Sequence, residues 1–314
     1  MTGVTVYGAG AFGTALAAVW TKAGRDVILW GRDAGVIEAV KTTGRNTKYL
    51  PGIELPRGLN VTASLERAAG ADISIIAVPA QHTRHFCKIM PSGGTRVVVS
   101  KGIETASGQL PHDIAGAAAV ISGPGFAQEL AKGKPTALSL GCADESRGAE
   151  LQQILSTGSL RLYLNPDIMG VALGGALKNV YAIACGLVAG TGLGESARAA
   201  LMTRGFAEMS RLCHQLGVHP ETLTGLSGFG DLALSSASRR SRNFNYGYEL
   251  GANDVQNTGK IVEGIATAEA VLLLGRKHGA ALPVASVVAR VLSRELSVPD
   301  AVTALMSRPL KQEV

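Results

Sequence analysis

The sequence predicts an α/β protein in two parts, an N-terminal half on a doubly wound, mostly parallel sheet and a C-terminal half made only of helices. Three observations carry this. A β-branched run from Gly3 to Tyr7 leads through closely spaced glycines into a helical run from Thr14 to Ala23. Continuous apolar segments of strand length recur at 71–79, 96–104 and 119–125. Beyond about residue 165 the alternation stops, and long helical patterns with Gly and Ala at close-packed positions replace it. A chain of 314 residues accommodates two domains that each bury a core. The expected domains are 1–165 and 166–314.

The first element ends in Gly8-Ala9-Gly10-Ala11-Phe12-Gly13. In that spacing Gly8 permits a tight turn, Gly10 lets the backbone approach a pyrophosphate, and Gly13 lets the helix pack on the sheet with its N–H groups facing the phosphates. The motif alone is weak evidence. Here it lies inside a strand, helix, strand unit closed by Asp26-Val27-Ile28-Leu29-Trp30, which an ordinary glycine turn does not require. Residues 1–165 are therefore read as a Rossmann-type dinucleotide-binding domain.

After the second strand stands Gly31-Arg32-Asp33. Enzymes specific for NAD place an acid here for the ribose 2′-OH, whereas an arginine meets a 2′-phosphate. The reading leans to NADP through Arg32, with Asp33 as the acid and Arg32 a solvated cation as the alternative. The cofactor expected is NADPH or NADH.

The apolar segments 71–79, 96–104 and 119–125 are strands covered on both faces in a parallel sheet. Ligands of such sheets bind beyond the carboxyl ends of the strands, which brings Lys101 and Gly123 to the functional edge. Lys101 can pair there with a carbonyl or phosphate oxygen, or be a solvated surface lysine.

Asn165-Pro166-Asp167 reads as a turn and helix start. From Gly170 to Gly190 the strongly polar residues are Lys178 and Asn179, so hydropathy alone nominates a membrane span. A lysine and an amide at the middle of a lipid-facing helix are unfavourable, so a buried core helix is expected. Burial disfavours the charge on Lys178 and moves it toward the range of a general base, unless an ion pair satisfies it. Asp231, in the glycine-flanked turn Ser227-Gly228-Phe229-Gly230-Asp231, is either a helix cap or the partner that orients Lys178 or a substrate hydroxyl. Ser238-Arg239-Arg240-Ser241-Arg242-Asn243 offers guanidinium forks and neutral donors for a phosphate, or is a solvated basic loop.

The net charge of +6 comes from scattered Lys and Arg without interleaved aromatics, so no nucleic acid partner is expected. No basic amphipathic helix is evident, and no stable membrane association is expected. Four separated cysteines with no His at ligand spacing indicate neither a disulfide framework nor a metal site. The chain enters a strand at Val4 with no basic segment before it, so the expected location is the cytoplasm.

Taken together, the glycine loop, Ser100-Lys101-Gly102-Ile103-Glu104, Ile121-Ser122-Gly123-Pro124-Gly125-Phe126-Ala127, Gly175-Ala176-Leu177-Lys178-Asn179, Gly228-Phe229-Gly230-Asp231-Leu232, Ser241-Arg242-Asn243 and Val262-Glu263-Gly264 closely resemble the bacterial NAD(P)-dependent glycerol-3-phosphate dehydrogenases. The resemblance covers nearly the whole chain. It implies reduction of dihydroxyacetone phosphate to sn-glycerol 3-phosphate for phospholipid synthesis, with Lys178 as the proton acceptor of the reverse direction. It further implies that Lys101, Gly123, Asp231, Ser241, Arg242 and Asn243 surround the substrate, and that Ala11, Phe12, Arg32, Lys101, Ala127, Arg242, Ile261 and Glu263 line the dinucleotide beside Gly8, Gly10 and Gly13. Where the family usually has Ser or Thr this chain has Gly125, which can contact substrate only through its backbone. A homodimer is left open. Two rivals stand: a hydroxyacid or 6-phosphogluconate type of dehydrogenase, for which the Ser-Arg-Asn set is unneeded, and a non-catalytic redox sensor, for which Lys178 has no use.

Overall fold

The computed structural model describes residues 2–253 and 261–306. The chain divides into two compact units, Met1–Lys101 with Gln109–Ala172, and Gly102–Gly108 with Leu173–Val314.

The first unit carries an eight-stranded sheet. Its strands are β1 (Gly3–Tyr7), β2 (Asp26–Trp30), β3 (Asn60–Thr62), β4 (Ile73–Ile76), β5 (Thr95–Val98), β6 (Ala119–Ser122), β7 (Thr136–Gly141) and β8 (Leu160–Asn165). They lie in the order β3-β2-β1-β4-β5-β6-β7-β8. All neighbours are parallel except β6 and β7. Helices α1 (Ala11–Lys22), α2 (Ala34–Thr43), α3 (Thr83–Ile89), α4 (Pro111–Ala115), α5 (Ala127–Ala131) and α6 (Glu145–Leu155) connect them.

Successive strand residues point to opposite faces. Val6, Ile75, Val97 and Ile121 join Leu16 and Trp20 of α1 in one apolar cluster. Their chain neighbours Tyr7, Ile76, Val98 and Val120 join Phe86 of α3 in another. Both faces are thus buried, which is why these strands read as unbroken apolar runs rather than alternating ones.

The strands are shorter than the apolar segments that announce them. β4 stops at Ile76, β5 at Val98 and β6 at Ser122, and the residues beyond become the loops at the ligand-binding edge. The chain winds outward from β1 in both directions, so the order reverses between β1 and β4. Dinucleotide sites of this architecture lie at that reversal.

The second unit is helical, built on α7 (Ile168–Gly190), α8 (Gly194–Gln215), α9 (Pro220–Thr224), α10 (Asp231–Ser235), α11 (Arg242–Gly251), α12 (Glu263–Lys277), α13 (Pro283–Leu292) and α14 (Val298–Met306). The turn expected at Asn165-Pro166-Asp167 lies between β8 and α7, where the Asp167 carboxylate accepts the Gly170 N–H at 2.8 Å. The apolar run read as a core helix is α7, and 94% of its most apolar window is buried.

Why α7 looks membrane-like follows from its neighbour α11. A Cβ on Gly186 or Gly190 would overlap the carbonyls of Phe244 and Tyr248, and one on Gly247 or Gly251 would overlap those of Ile183 and Leu187. Each helix presents glycines four residues apart, hence on one face, and the two backbones cross in direct contact. That crossing fixes the start of α11 relative to the polar residues in the middle of α7. From α8, the buried Glu208 accepts the Val284 and Ala285 N–H groups at 2.7 and 3.2 Å, closing the open N-terminus of α13.

Candidate active site

In the first unit the glycine loop joins β1 to α1. Gly8 has a φ of 128°, and a Cβ there would stand 2.6 Å from the Ala77 carbonyl oxygen beyond β4. A Cβ on Gly13 would overlap the Gly8 carbonyl. Gly10 differs. It caps α1 with no side-chain partner, and a Cβ on it would meet nothing within 4 Å among the described residues. Packing inside the protein therefore demands glycine at 8 and 13, whereas at 10 the open space above the unsatisfied helix N-terminus is a cradle for an anion. The loop fits a dinucleotide pyrophosphate.

Asn46 braces this loop, and no sequence pattern pointed to it. Its side chain is fully buried and donates to the Ala9 carbonyl at 2.9 Å and to Thr14 Oγ1 at 2.8 Å. Its own Oδ1 accepts the Tyr49 N–H at 3.2 Å.

Ser100 Oγ donates to the carbonyls of Val78 and Ile76, tying the end of β5 to that of β4. The next residue, Lys101, donates from Nζ to the Gly123 carbonyl at 2.9 Å and stands 5.9 Å from the centre of the Phe12 ring. Lys101, Phe12 and Gly123, all singled out from sequence, are thereby brought together. Gly123 has a φ of 143°, a conformation that side chains rarely adopt. Gly125 does not need to be glycine. A Cβ there would lie 3.3 Å from Thr136 Cγ2 and 4.0 Å from Phe12 Cε2, so a small residue fits with slight adjustment. Ala127 opens α5 and packs on the core.

Arg32 is exposed beyond β2. Asp33, the alternative ribose ligand, is instead the N-cap of α2, accepting the Gly35 and Val36 N–H groups at 3.1 and 3.2 Å. The structure thus gives Asp33 a structural commitment that the spacing alone did not reveal.

In the second unit, Lys178 is 7% exposed on α7. Nζ lies 3.0 Å from Asp231 Oδ1 and 2.6 Å from Ser235 Oγ, and Ser235 Oγ donates to the same Asp231 oxygen at 3.2 Å. Both acceptors come from one turn of α10. A segment of π-helix over Leu226–Gly230 leads into that helix, so the glycines before Asp231 shape its approach. The alternatives for Lys178 merge: the buried amine is ion-paired, and its partner is the Asp231 that sequence had offered.

Next to Lys178, Asn179 Oδ1 accepts from Asn243 Nδ2 at 2.8 Å, while Asn243 Oδ1 accepts the Gly264 N–H at 2.9 Å. Ser241 caps α11 by accepting the Phe244 N–H at 3.4 Å, and Arg242 donates to the Ile261 carbonyl at 3.1 Å. Glu263 is the first residue of α12. The Ser241-Arg242-Asn243 set therefore opens a helix beside Asn179, with Ile261 and Glu263 close in chain to the groups that Arg242 and Asn243 bond. Ser235 and Asn179 went unassigned from sequence; their chemistry depends on a register between α7, α10 and α11 that no local spacing encodes.

Both halves of the chain are similar to known proteins. The family described as NAD-dependent glycerol-3-phosphate dehydrogenase N-terminus matches residues 3–148, and its C-terminus counterpart matches residues 167–303. The chain is 48% identical over 319 residues to the glycerol-3-phosphate dehydrogenase (NAD(P)+) of Roseobacter denitrificans, covering 99% of each. It is 45% identical to the protein of the same name from Ruegeria sp., again covering 99% of each. Among solved structures, glycerol-3-phosphate dehydrogenase from Coxiella burnetii superposes with a TM-score of 0.92 at 34% identity, covering 98% of this chain and 99% of that one. With both halves of the sequence matched in order, the chain belongs to the NAD-dependent glycerol-3-phosphate dehydrogenase family.

Proposed function

We propose that the protein reduces dihydroxyacetone phosphate to sn-glycerol 3-phosphate with NADH or NADPH, supplying glycerophospholipid synthesis. The observation that carries this reading is the buried Lys178, held by Asp231 and Ser235 in a chain of this family.

The dinucleotide, when bound, supplies the hydride. Its site is assigned to residues 1–165, through Gly8, Gly10, Ala11, Phe12, Gly13, Arg32, Lys101 and Ala127. Lys178 gives a proton to the ketone oxygen as charge develops there, and takes the hydroxyl proton in the reverse direction. The Asp231 carboxylate at 3.0 Å favours the ammonium that this donation requires. In the first unit, Lys101 is assigned to a polar ligand oxygen, with the Gly123 carbonyl 2.9 Å from its Nζ and Gly125 next but one in the chain. The substrate phosphate is assigned to Ser241, Arg242 and Asn243 at the start of α11, where guanidinium, amide and helix N–H groups all favour an anion. That grip lies on atoms remote from the reacting carbon, so its binding energy serves to position the ketone.

A small-molecule substrate and a cytoplasmic location belong to the same proposal; the four cysteines are free thiols, and the apolar α7 is buried within the protein. The test is oxidation of NADH and NADPH, followed by absorbance, on adding dihydroxyacetone phosphate. Equimolar formation of sn-glycerol 3-phosphate is expected. Oxidation with 3-hydroxyacid precursors but none with dihydroxyacetone phosphate overturns the reading.

A further inference from the structure

The Lys178 amine is held by a helix too short to hold itself. α10 spans five residues, Asp231–Ser235, little more than one turn, and a turn of that length has no stability of its own in water. Asp231 and Ser235 therefore meet Lys178 only because both ends of α10 are tied down from outside. The π-helical segment Leu226–Gly230 leads into its start. At its other end the Ser236 N–H closes on the Leu232 carbonyl at 2.9 Å, and the Ser236 carbonyl is left to find a partner beyond the helix.

That partner is Arg198 of α8. Its Nη1 donates to the Ser236 carbonyl at 2.9 Å, its Nε donates to Glu195 Oε2 at 3.0 Å, and its Nη2 donates to the same Glu195 oxygen. The Arg198 side chain is 15% exposed, whereas that of Glu195 is 83% exposed. A guanidinium withdrawn from water gains little from so exposed a carboxylate, so the contact that accounts for its position is the one at the C-terminal end of α10.

The backbone of Arg198 is in turn fixed by the helix that carries Lys178. Cys185 follows Lys178 by two turns of α7 and so lies on the same face, and its Sγ donates to the Arg198 carbonyl at 3.9 Å. Further along α8, a Cβ on Gly205 would stand 2.8 Å from Tyr181 Cδ1, which brings the two helices close together there as well. α8 thus takes its place from α7 and hands it on to α10.

We propose that Arg198 is a positioning residue for proton transfer: by holding the Ser236 carbonyl it sets the α10 turn so that Asp231 and Ser235 meet the Lys178 amine. The inference deepens the proposed reduction and rests on it. Arg198 acts through the carboxylate that favours the Lys178 ammonium, not on the ketone. With the turn loosened, Asp231 favours the ammonium less, and the ammonium is the form that gives a proton to the ketone. The pH at which kcat falls on the basic side therefore moves down when Arg198 is removed.

The experiment follows kcat for dihydroxyacetone phosphate reduction from about pH 6.5 to about pH 10 in the full chain, for wild type, Arg198→Met and Arg198→Lys. NADPH affinity and denaturant unfolding are measured beside it. For Arg198→Met the expected result is a kcat about tenfold to a hundredfold lower, NADPH affinity within twofold of wild type, and a basic limb about one pH unit lower. Arg198→Lys keeps a charged donor for the Ser236 carbonyl, so it should recover most of kcat and return the limb to its wild-type position. A limb that stays at the wild-type pH in Arg198→Met, whatever its kcat or stability, overturns the proposal, as does an Arg198→Lys protein as impaired as Arg198→Met. Should the methionine variant not fold, Arg198→Gln, polar but too short to span Glu195 and Ser236 together, takes its place with the same outcomes. A wild-type protein that oxidises no NADPH with dihydroxyacetone phosphate would instead remove the reaction on which the inference rests.

Discussion

Lys178 and Asp231 face each other at 3.0 Å with side chains 9% and 2% exposed, and Ser235 bonds to both. A buried pair of this kind is not a cheap source of stability. Removing one partner strands the other charge and costs about 3–5 kcal/mol, whereas replacing both by apolar groups is often neutral. Asp231→Leu alone is therefore expected to lower unfolding free energy by several kcal/mol, and Lys178→Met with Asp231→Leu to recover most of it. Turnover should be lost in both. Denaturant unfolding with matched assays checks this; a double variant as unstable as the single one would contradict the ion-pair account.

The glycine loop separates packing from ligand binding. Gly10→Ala places a methyl group in open space at a φ of −73°, which alanine adopts without strain. Its folded stability should match wild type or rise by about 0.4–1 kcal/mol, while NADH and NADPH affinity falls at least tenfold. Gly8→Ala should instead destabilise the fold, because φ is 128° and Ala77 blocks the methyl. Unchanged dinucleotide affinity in Gly10→Ala, read by fluorescence titration, would contradict the assigned pyrophosphate cradle.

Gly186 tests the helix crossing. Alanine is better than glycine in a helix interior by about 1 kcal/mol. Here a methyl group would overlap the Phe244 carbonyl, and overpacking of that kind costs about 1–3 kcal/mol or more. The steric effect should win, so Gly186→Ala unfolds at lower denaturant. It should also raise the KM for dihydroxyacetone phosphate, because Asn243 lies one residue before Phe244 and moves with it. A more stable Gly186→Ala protein would show that the helices are not in backbone contact.

Much of this was legible in the sequence because the signals are local. Gly8, Gly10 and Gly13 sit within six residues, Lys178 stands out in an apolar run, and Arg242 and Asn243 open a helix. What escaped was long-range. Asn46 reaches Thr14 across 32 residues, and Ser235 reaches Lys178 across 57. Asp33 was legible only as a possible ribose acid, and its role as a helix cap emerges once α2 is seen to begin at the next residue. The antiparallel β7 was not anticipated either, since its run 136–141 carries no mark of direction.

Thiol chemistry gives an independent check on burial. Cys142, Cys185 and Cys213 are buried and Cys87 is half-buried. Desolvation pushes the Cys185 thiol up to about 11, so it stays protonated and unreactive at pH 8. Burial raises the Cys87 and Cys142 thiols too. A colorimetric thiol reagent at pH 8 should react slowly with one group in the native protein, Cys87, and with four after unfolding. Rapid reaction at Cys185 would show that α7 is open to solvent.

Lys178→Ala bears most directly on the chemistry. The account predicts a fall in kcat of at least two to four orders of magnitude for dihydroxyacetone phosphate reduction, the range typical of removing a general acid, with NADPH affinity within threefold of wild type. A variant that is folded, binds NADPH and turns over within tenfold of wild type would leave the reaction without Lys178 as its proton donor and contradict the account.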